Sequence, residues 1–195
     1  MNIIDNFLKP ELFKNIQKTI MGDTFPWYYQ ADSNYKTEGL SQLTHGFYNH
    51  DLPKRINSPF LELLEPLVTK LNAVGLVRIK ANLTYPSPKP QGRHTDYNFK
   101  NMMTAIYYIN SNNGGTHIEG VQTSKGNIKD EFVNSVENRM VIIPGNVPHV
   151  VVRHTDPGIG RFVINFNYYE GEKNCHLEHD FEKSYYKHTE VKNNG

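Results

Sequence analysis

His94-Thr95-Asp96 is the stretch whose residue types and spacing can do chemistry. Residues at i and i+2 of an extended backbone project to the same side, so an imidazole and a carboxylate can grip one ion from a single strand. His149 can complete a face of three. Two imidazoles and one carboxylate leave the other positions of an octahedral ion open, the coordination that suits non-haem Fe(II) chemistry with dioxygen. Arg161 opens the next strand-like segment. Its permanently charged fork is suited to hold a dicarboxylate that also chelates the ion. Plainer roles stand beside these: His149 as a core-edge histidine bonded to backbone, Arg161 as an exposed strand residue. His117-Ile118-Glu119 repeats the i, i+2 geometry on another strand-like segment and competes as the metal pair, with no matching anchor for a second ligand. His154, His176, His179 and His188 fall in a loop or a polar tail, and His45 and His50 in an irregular segment. All six are expected to be solvated.

The elements that position these residues change character along the chain. A short strand is expected at 2–7, then a helix entered at Pro10, with Leu12, Phe13, Ile16 and Ile20 as its apolar stripe. Residues 22–57 show poor periodicity and many aromatic side chains. Ser58-Pro59 reads as an N-cap with proline in the first turn of a second helix, which Pro66 is placed to kink. Beyond Gly75 the period becomes two. Val77, Ile79, Ala81 and Leu83 alternate with Arg78, Lys80, Asn82 and Thr84, the pattern of a half-buried strand. Pro86, Pro88 and Pro90 then make a stiff loop leading to His94. Strands are expected at 102–110, 116–121, 139–143, 147–153 and 161–169. Asn112-Asn113-Gly114-Gly115 reads as the turn of a hairpin, and Pro144-Gly145 suits a type II turn. Short strands joined by such turns, with helices confined to the first third, predict an antiparallel sandwich or barrel flanked by helices.

The 195 residues suffice for one domain with a buried core: a helical buttress over about 1–75, a β core over about 76–169 and a peripheral tail at 170–195. Lys plus Arg number 21 against 20 Asp plus Glu, so the net charge of +1 supplies no bulk attraction to nucleic acid or an anionic membrane. The basic cluster Lys89, Arg93 and Lys100 leaves an acidic substrate open, with a solvated rim as the plainer reading. The single cysteine, Cys175, fits a reducing compartment. With neither a signal peptide nor a spanning segment in the sequence, the cytoplasm is the expected location.

The run 80–169 resembles the catalytic core of the Fe(II)- and 2-oxoglutarate-dependent dioxygenases, in particular the prolyl 4-hydroxylase-like branch. The resemblance rests on Leu83-Thr84-Tyr85-Pro86, His94-Thr95-Asp96, Thr104-Ala105-Ile106-Tyr107-Tyr108-Ile109-Asn110, Gly114-Gly115, Pro148-His149 and Arg161-Phe162-Val163-Ile164, in that order. It implies a double-stranded β-helix, the cupin-like jelly roll, behind N-terminal flanking helices. It also implies His94, Asp96 and His149 as ligands of Fe(II), with Arg161 on the distal carboxylate of 2-oxoglutarate, assisted by Tyr108. Tyr85 resembles another cosubstrate-side tyrosine. O2 is the implied oxidant, ascorbate a candidate reductant, and a peptide or small molecule the substrate. Nucleic-acid demethylating relatives carry a second arginine six residues after the first, where this chain has Asn167, and this counts against a nucleobase. A cupin-like metalloenzyme that does not use 2-oxoglutarate and an inactive jelly-roll binding module are the alternatives.

Overall fold

The computed structural model describes residues 1–31, 40–89, 91–97, 99–123 and 126–172. Cys175, His176, His179, His188 and the tail beyond residue 172 lie outside them. Helix α1 (Pro10–Ile20) starts on Pro10, whose missing N–H is one that a first turn leaves unbonded anyway. It buries Phe13, Ile16 and Ile20, while Leu12, expected in the stripe, is exposed. The second helical segment is two pieces, a 3-10 turn at Pro59–Leu64 and helix α2 (Glu65–Lys70). Ser58 caps the first piece by accepting from the Phe60 N–H at 3.0 Å. Pro66 stands in the first turn of α2, so it starts a helix rather than kinking one.

The strands are β1 (Asn2–Ile4), β2 (Tyr28–Gln30), β3 (Gln42–Asn49), β4 (Ala73–Thr84), β5 (Met102–Tyr108), β6 (Gly115–Ile118), β7 (Val121–Thr123), β8 (Gly126–Ile128), β9 (Glu131–Asn134), β10 (Arg139–Pro144), β11 (His149–Val152) and β12 (Arg161–Glu170). An antiparallel sheet in the order β1-β10-β5-β12-β4-β3-β2 faces a smaller one in the order β11-β6-β9, with β7-β8 as a separate ribbon. This is a mainly β jelly roll with helices on its outer face, as expected.

Alternation along the central strands builds two cores. Ile79 and Ala81 of β4, Ala105 and Tyr107 of β5, and Ile164 and Phe166 of β12 pack with the helical residues Phe13, Ile16, Leu64 and Leu67. Their neighbours Ile106, Tyr108 and Val163 point the other way and meet Ile118, Val133 and Val147 between the sheets. Asn138, at a positive φ of 59°, ties the chain entering α1 to the large sheet. Its side chain accepts from the Leu8 N–H and the Tyr107 hydroxyl and donates to the Leu8 carbonyl. No helix among the described residues is long and apolar enough to cross a membrane.

Several local expectations change. The segment after Asn112 does not fold back on β5: β6 crosses to the small sheet and pairs with β9 and β11. Gly114 and Gly115 are not at positive φ; a side chain at Gly115 would strike the Val133 carbonyl, and one at Gly114 would meet the His154 backbone nitrogen at 2.6 Å. Close approach of neighbouring strands, not turn chemistry, requires them. Gly145 likewise lacks the positive φ of a type II turn, and a side chain there would strike Met102. Residues 22–57, read as irregular, contribute β2 and β3 to the large sheet. His45 is buried on β3, its ring between the Pro26 carbonyl and the Ser58 hydroxyl. His154 is buried too, its ring nitrogen on the Ile159 carbonyl.

Candidate metal and cosubstrate site

The polar face of β4 does not look into solvent. Arg78, Lys80, Asn82 and Thr84 form the floor of a cavity of about 160 Å³ between the sheets, together with Arg161, Val163 and Asn165 of β12. His94, Thr95, Asp96, His149 and Thr116 close it from above. Sequence periodicity cannot distinguish a face turned to water from one turned to a polar cavity.

His94, Asp96 and His149 come together with one ligand atom from each lying within 4.8 Å of the others. His94 and Asp96 are not on a regular strand. His94 makes a single β-bridge with His149, their main chains exchanging N–H···O bonds of 3.1 and 2.9 Å. Two ligand-type residues distant in sequence thus face each other directly, with ring centroids 4.5 Å apart. Each ring also bonds through Nδ1 to a carbonyl two residues before it, His94 to Gly92 and His149 to Val147, both at 3.1 Å. A carbonyl can only accept, so each imidazole carries its proton on Nδ1 and keeps the Nε2 lone pair for an ion. Burial, and next the neighbouring His149, hold the His94 imidazole below its ordinary range, which favours the neutral, ligating form.

Asp96 is oriented by residues that the motif search did not reach. Burial works to raise its carboxyl, but His149, Asn167 and Arg78 outweigh this and hold it below the ordinary carboxylate range. Asn167 donates to Oδ2 at 2.9 Å and Thr104 to the same oxygen at 3.1 Å, while Arg78 reaches Oδ1 at 3.4 Å. Arg78 also donates to the Asn167 side-chain carbonyl at 3.2 Å and lies over the Tyr97 ring. Thr104, Asn167 and Arg78 are register neighbours on β5, β12 and β4, so their side chains share the cavity face of the sheet. One sequence signal was present: each stands at an inward position of its strand, two or four residues from another cavity residue.

At the other end of β12, Arg161 is 1% exposed. Its donors reach Ser135 Oγ at 3.0 Å and the Gly115 carbonyl and Thr116 Oγ1 at 3.2 Å, all neutral acceptors. The Tyr108 ring lies 5.4 Å from the guanidinium, and the Tyr108 hydroxyl donates to Thr116 Oγ1 at 2.8 Å. No carboxylate among the described residues is within ion-pair distance of Arg161. A buried cation without an anion among the described residues is costly, and an anionic ligand fits that arrangement. Thr84, the register partner of Arg161, and Gln91 and Asn165 each leave a buried side-chain polar atom without a partner among the described residues, and all three line the same cavity. These orphaned groups fit a polar ligand.

Tyr85 is not brought to the site. β4 ends at Thr84, the chain leaves the sheet, and the Tyr85 side chain is 48% exposed and outside the cavity lining. The competing pair is accounted for otherwise: His117 bonds Asp130 at 2.7 Å and Glu119 bonds Arg93 at 2.6 Å. That ion pair also removes Arg93 from the expected basic rim.

No protein-family model matches the sequence, and no curated protein matches it. Solved structures do match the fold. A prolyl hydroxylase from Trichoplax adhaerens, in complex with a hypoxia-inducible factor oxygen degradation domain peptide fragment, aligns over 87% of this chain and 83% of its own with a TM-score of 0.61 and 14% identity. A 2OG-Fe(II) oxygenase family oxidoreductase from Burkholderia pseudomallei aligns over 86% and 84% with a TM-score of 0.62 and 10% identity. The epimerase of nogalamycin biosynthesis, in complex with Fe3+, alpha ketoglutarate and nogalamycin RO, aligns over 86% and 78% with a TM-score of 0.59 and 8% identity. At these identities the likeness is one of fold.

Proposed function

We propose that this chain is an Fe(II)- and 2-oxoglutarate-dependent oxygenase, a single domain that hydroxylates a C–H bond of a peptidyl or small-molecule substrate. The observation that carries the reading is one cavity with two His and one Asp poised for an ion at one end and, at the other, a buried arginine with no carboxylate partner among the described residues. Structures of the same fold include a peptide complex and a complex with iron and alpha ketoglutarate, which supports both the cofactor pair and the kind of substrate.

His94, Asp96 and His149 would hold the metal, two neutral imidazoles and one carboxylate leaving sites open for a chelating 2-oxo acid and dioxygen. When bound, iron supplies the oxidation in which O2 and 2-oxoglutarate become succinate and CO2 with one oxygen atom left for the substrate C–H. Arg161 takes the far carboxylate of 2-oxoglutarate through its fork, and Thr84 adds a hydroxyl beside it. Tyr108 keeps the guanidinium in place from below and fixes Thr116 through its hydroxyl. Asn167, Thr104 and Arg78 hold the Asp96 carboxylate in one orientation, so the ligand is set before the ion arrives. Val163 and Ile106 make the apolar part of the wall.

The test is anaerobic loading with Fe(II) and 2-oxoglutarate, followed by aerobic incubation with a peptide and metabolite panel and measurement of succinate. Substrate-dependent succinate with a product 16 mass units heavier is expected. Metal bound without any 2-oxoglutarate affinity would reject the reading.

A further inference from the structure

The floor of the cavity carries more positive charge than the proposed reaction uses. Arg78, Lys80 and Arg161 face it, and Asp96 is the one carboxylate among its described lining residues. Arg78 is bonded to Asp96, and Arg161 is assigned to the distal carboxylate of 2-oxoglutarate. A divalent ion and a dianionic 2-oxo acid cancel each other, so filling the site with both leaves the surplus in place. Lys80 is the cation left over. No carboxylate among the described residues lies within ion-pair distance of its ammonium.

The surroundings of Lys80 distinguish it from Arg161. Lys80 stands one inward position along β4 from Arg78, whose guanidinium is bonded to Asp96, so it lies next to the metal end of the cavity floor. Burial, and next Arg78, bring it down to about 8, which leaves it charged in most molecules at neutral pH. Its register partner on β12 is Asn165, and on the other side, on β3, it is Gly46. Directly opposed residues share a face of the sheet. A side chain added at Gly46 would meet nothing within 4 Å, and Gly46 is exposed. The face of the sheet that carries Lys80 is therefore open to solvent at Gly46, directly beside it.

We propose that Lys80 is the specificity-determining residue for the primary substrate, binding a carboxylate or phosphate group that enters over Gly46, so that the molecule oxidised is an acid. The proposal rests on the oxygenase reading for the role of the occupant, but the anion site itself stands on the residues around Lys80. A lysine suits this task because a compact ammonium on a flexible stem can follow substrates of different length, where the Arg161 fork fixes one geometry.

The test uses the whole protein with 15N-labelled lysine, Zn(II) as a diamagnetic substitute for iron, and saturating 2-oxoglutarate. The Lys80 side-chain resonance is identified by its absence in Lys80→Met, and inorganic phosphate and acetate are the probes. A saturable shift of that resonance by the probes is expected with 2-oxoglutarate already bound. Phosphate affinity should fall about tenfold in Lys80→Met, the loss of one charge-assisted contact, and recover in part in Lys80→Arg. In both variants 2-oxoglutarate affinity should change less than about threefold, a contact difference below 1 kcal/mol. In the turnover screen, the acid member of each acid–amide pair should be the one consumed, with KM rather than kcat raised in Lys80→Met. A resonance that moves on 2-oxoglutarate alone and ignores phosphate makes Lys80 a cosubstrate contact. One that ignores both makes it a structural cation, and preference for the amide removes the acid requirement. Any of the three overturns the proposal. If 2-oxoglutarate does not bind at all while phosphate still shifts Lys80, the oxygenase reading fails and the anion site remains.

Discussion

Replacing Arg161 with methionine should lower affinity for 2-oxoglutarate without unfolding the protein, and the two effects have separate origins. Arg161 makes three hydrogen bonds to neutral acceptors, Ser135, Gly115 and Thr116. Each contributes about 1 kcal/mol net to the ligand-free fold. Against this stands a fully buried charge with no anion beside it, whose desolvation opposes folding by several kcal/mol. Arg161→Met removes both terms at similar length, so the stability of the ligand-free protein should stay within about 2 kcal/mol of the parent, in either direction. Binding loses its anchor outright: one charge-assisted pair is about 1.5–3 kcal/mol, or roughly tenfold to hundredfold in Kd. The assays are urea unfolding without ligands and anaerobic calorimetric titration of 2-oxoglutarate into Mn(II)-loaded protein. Parent and variant should also diverge in thermal shift, since a ligand at a hundred times its Kd adds about 2.7 kcal/mol to the parent. Parental affinity in Arg161→Met refutes the anchor. A loss of about 5 kcal/mol or more in the ligand-free protein refutes the claim that the guanidinium awaits an anion and makes it a structural pin.

Asn167→Ala removes the shorter of two donors to Asp96 Oδ2 and should weaken metal binding about tenfold, with unfolding in urea moved far less; unchanged metal affinity rejects the orienting role. Tyr85→Ala should leave 2-oxoglutarate affinity within about twofold, because the side chain stands outside the cavity, and a tenfold loss would return Tyr85 to the site. The third concerns His45, held below its ordinary value of 6.5 mainly by burial, with the Pro26 carbonyl opposing. The unfolded chain then takes up a proton that the native ring resists, so metal-free stability falls as pH drops below about 6.5, by at most about 1.4 kcal/mol per pH unit from this group. His45→Gln should flatten that slope in denaturant midpoints measured from pH 7.5 to 5.5; equal slopes would show that His45 does not carry it.

The ordered residues His94, Asp96, His149 and Arg161 were legible because ligand chemistry restricts residue type, and the structure gathers them in one cavity. β4 was legible from alternation, and β10 as a short apolar run stopped at Pro144-Gly145. β3 was not. One of its faces meets the helices and the other the cavity, so His45 and Gln42 are as buried as Phe47, and a bulge between Gly46 and Tyr48 breaks what period remains. The destination of β6 was hidden for a different reason: a turn fixes where the chain reverses, not which sheet the returning strand joins. Lys80 and Asn82 looked like the wet side of a strand because sequence carries no mark that separates solvent from an enclosed polar space.

The bridge between His94 and His149 has a kinetic consequence. Ligands supplied by independent loops can let go of an ion one at a time. Here the first and third candidate ligands hold each other through two main-chain hydrogen bonds, so opening the backbone at one displaces the other. On the proposed reading, the escape of an ion held there would be limited by how often a single two-residue contact breathes. Slow chelator stripping and amide exchange at His94 and His149 become two readings of one rate. A residue change that leaves every side chain of the cavity intact but stiffens that contact would lengthen the lifetime of the metal.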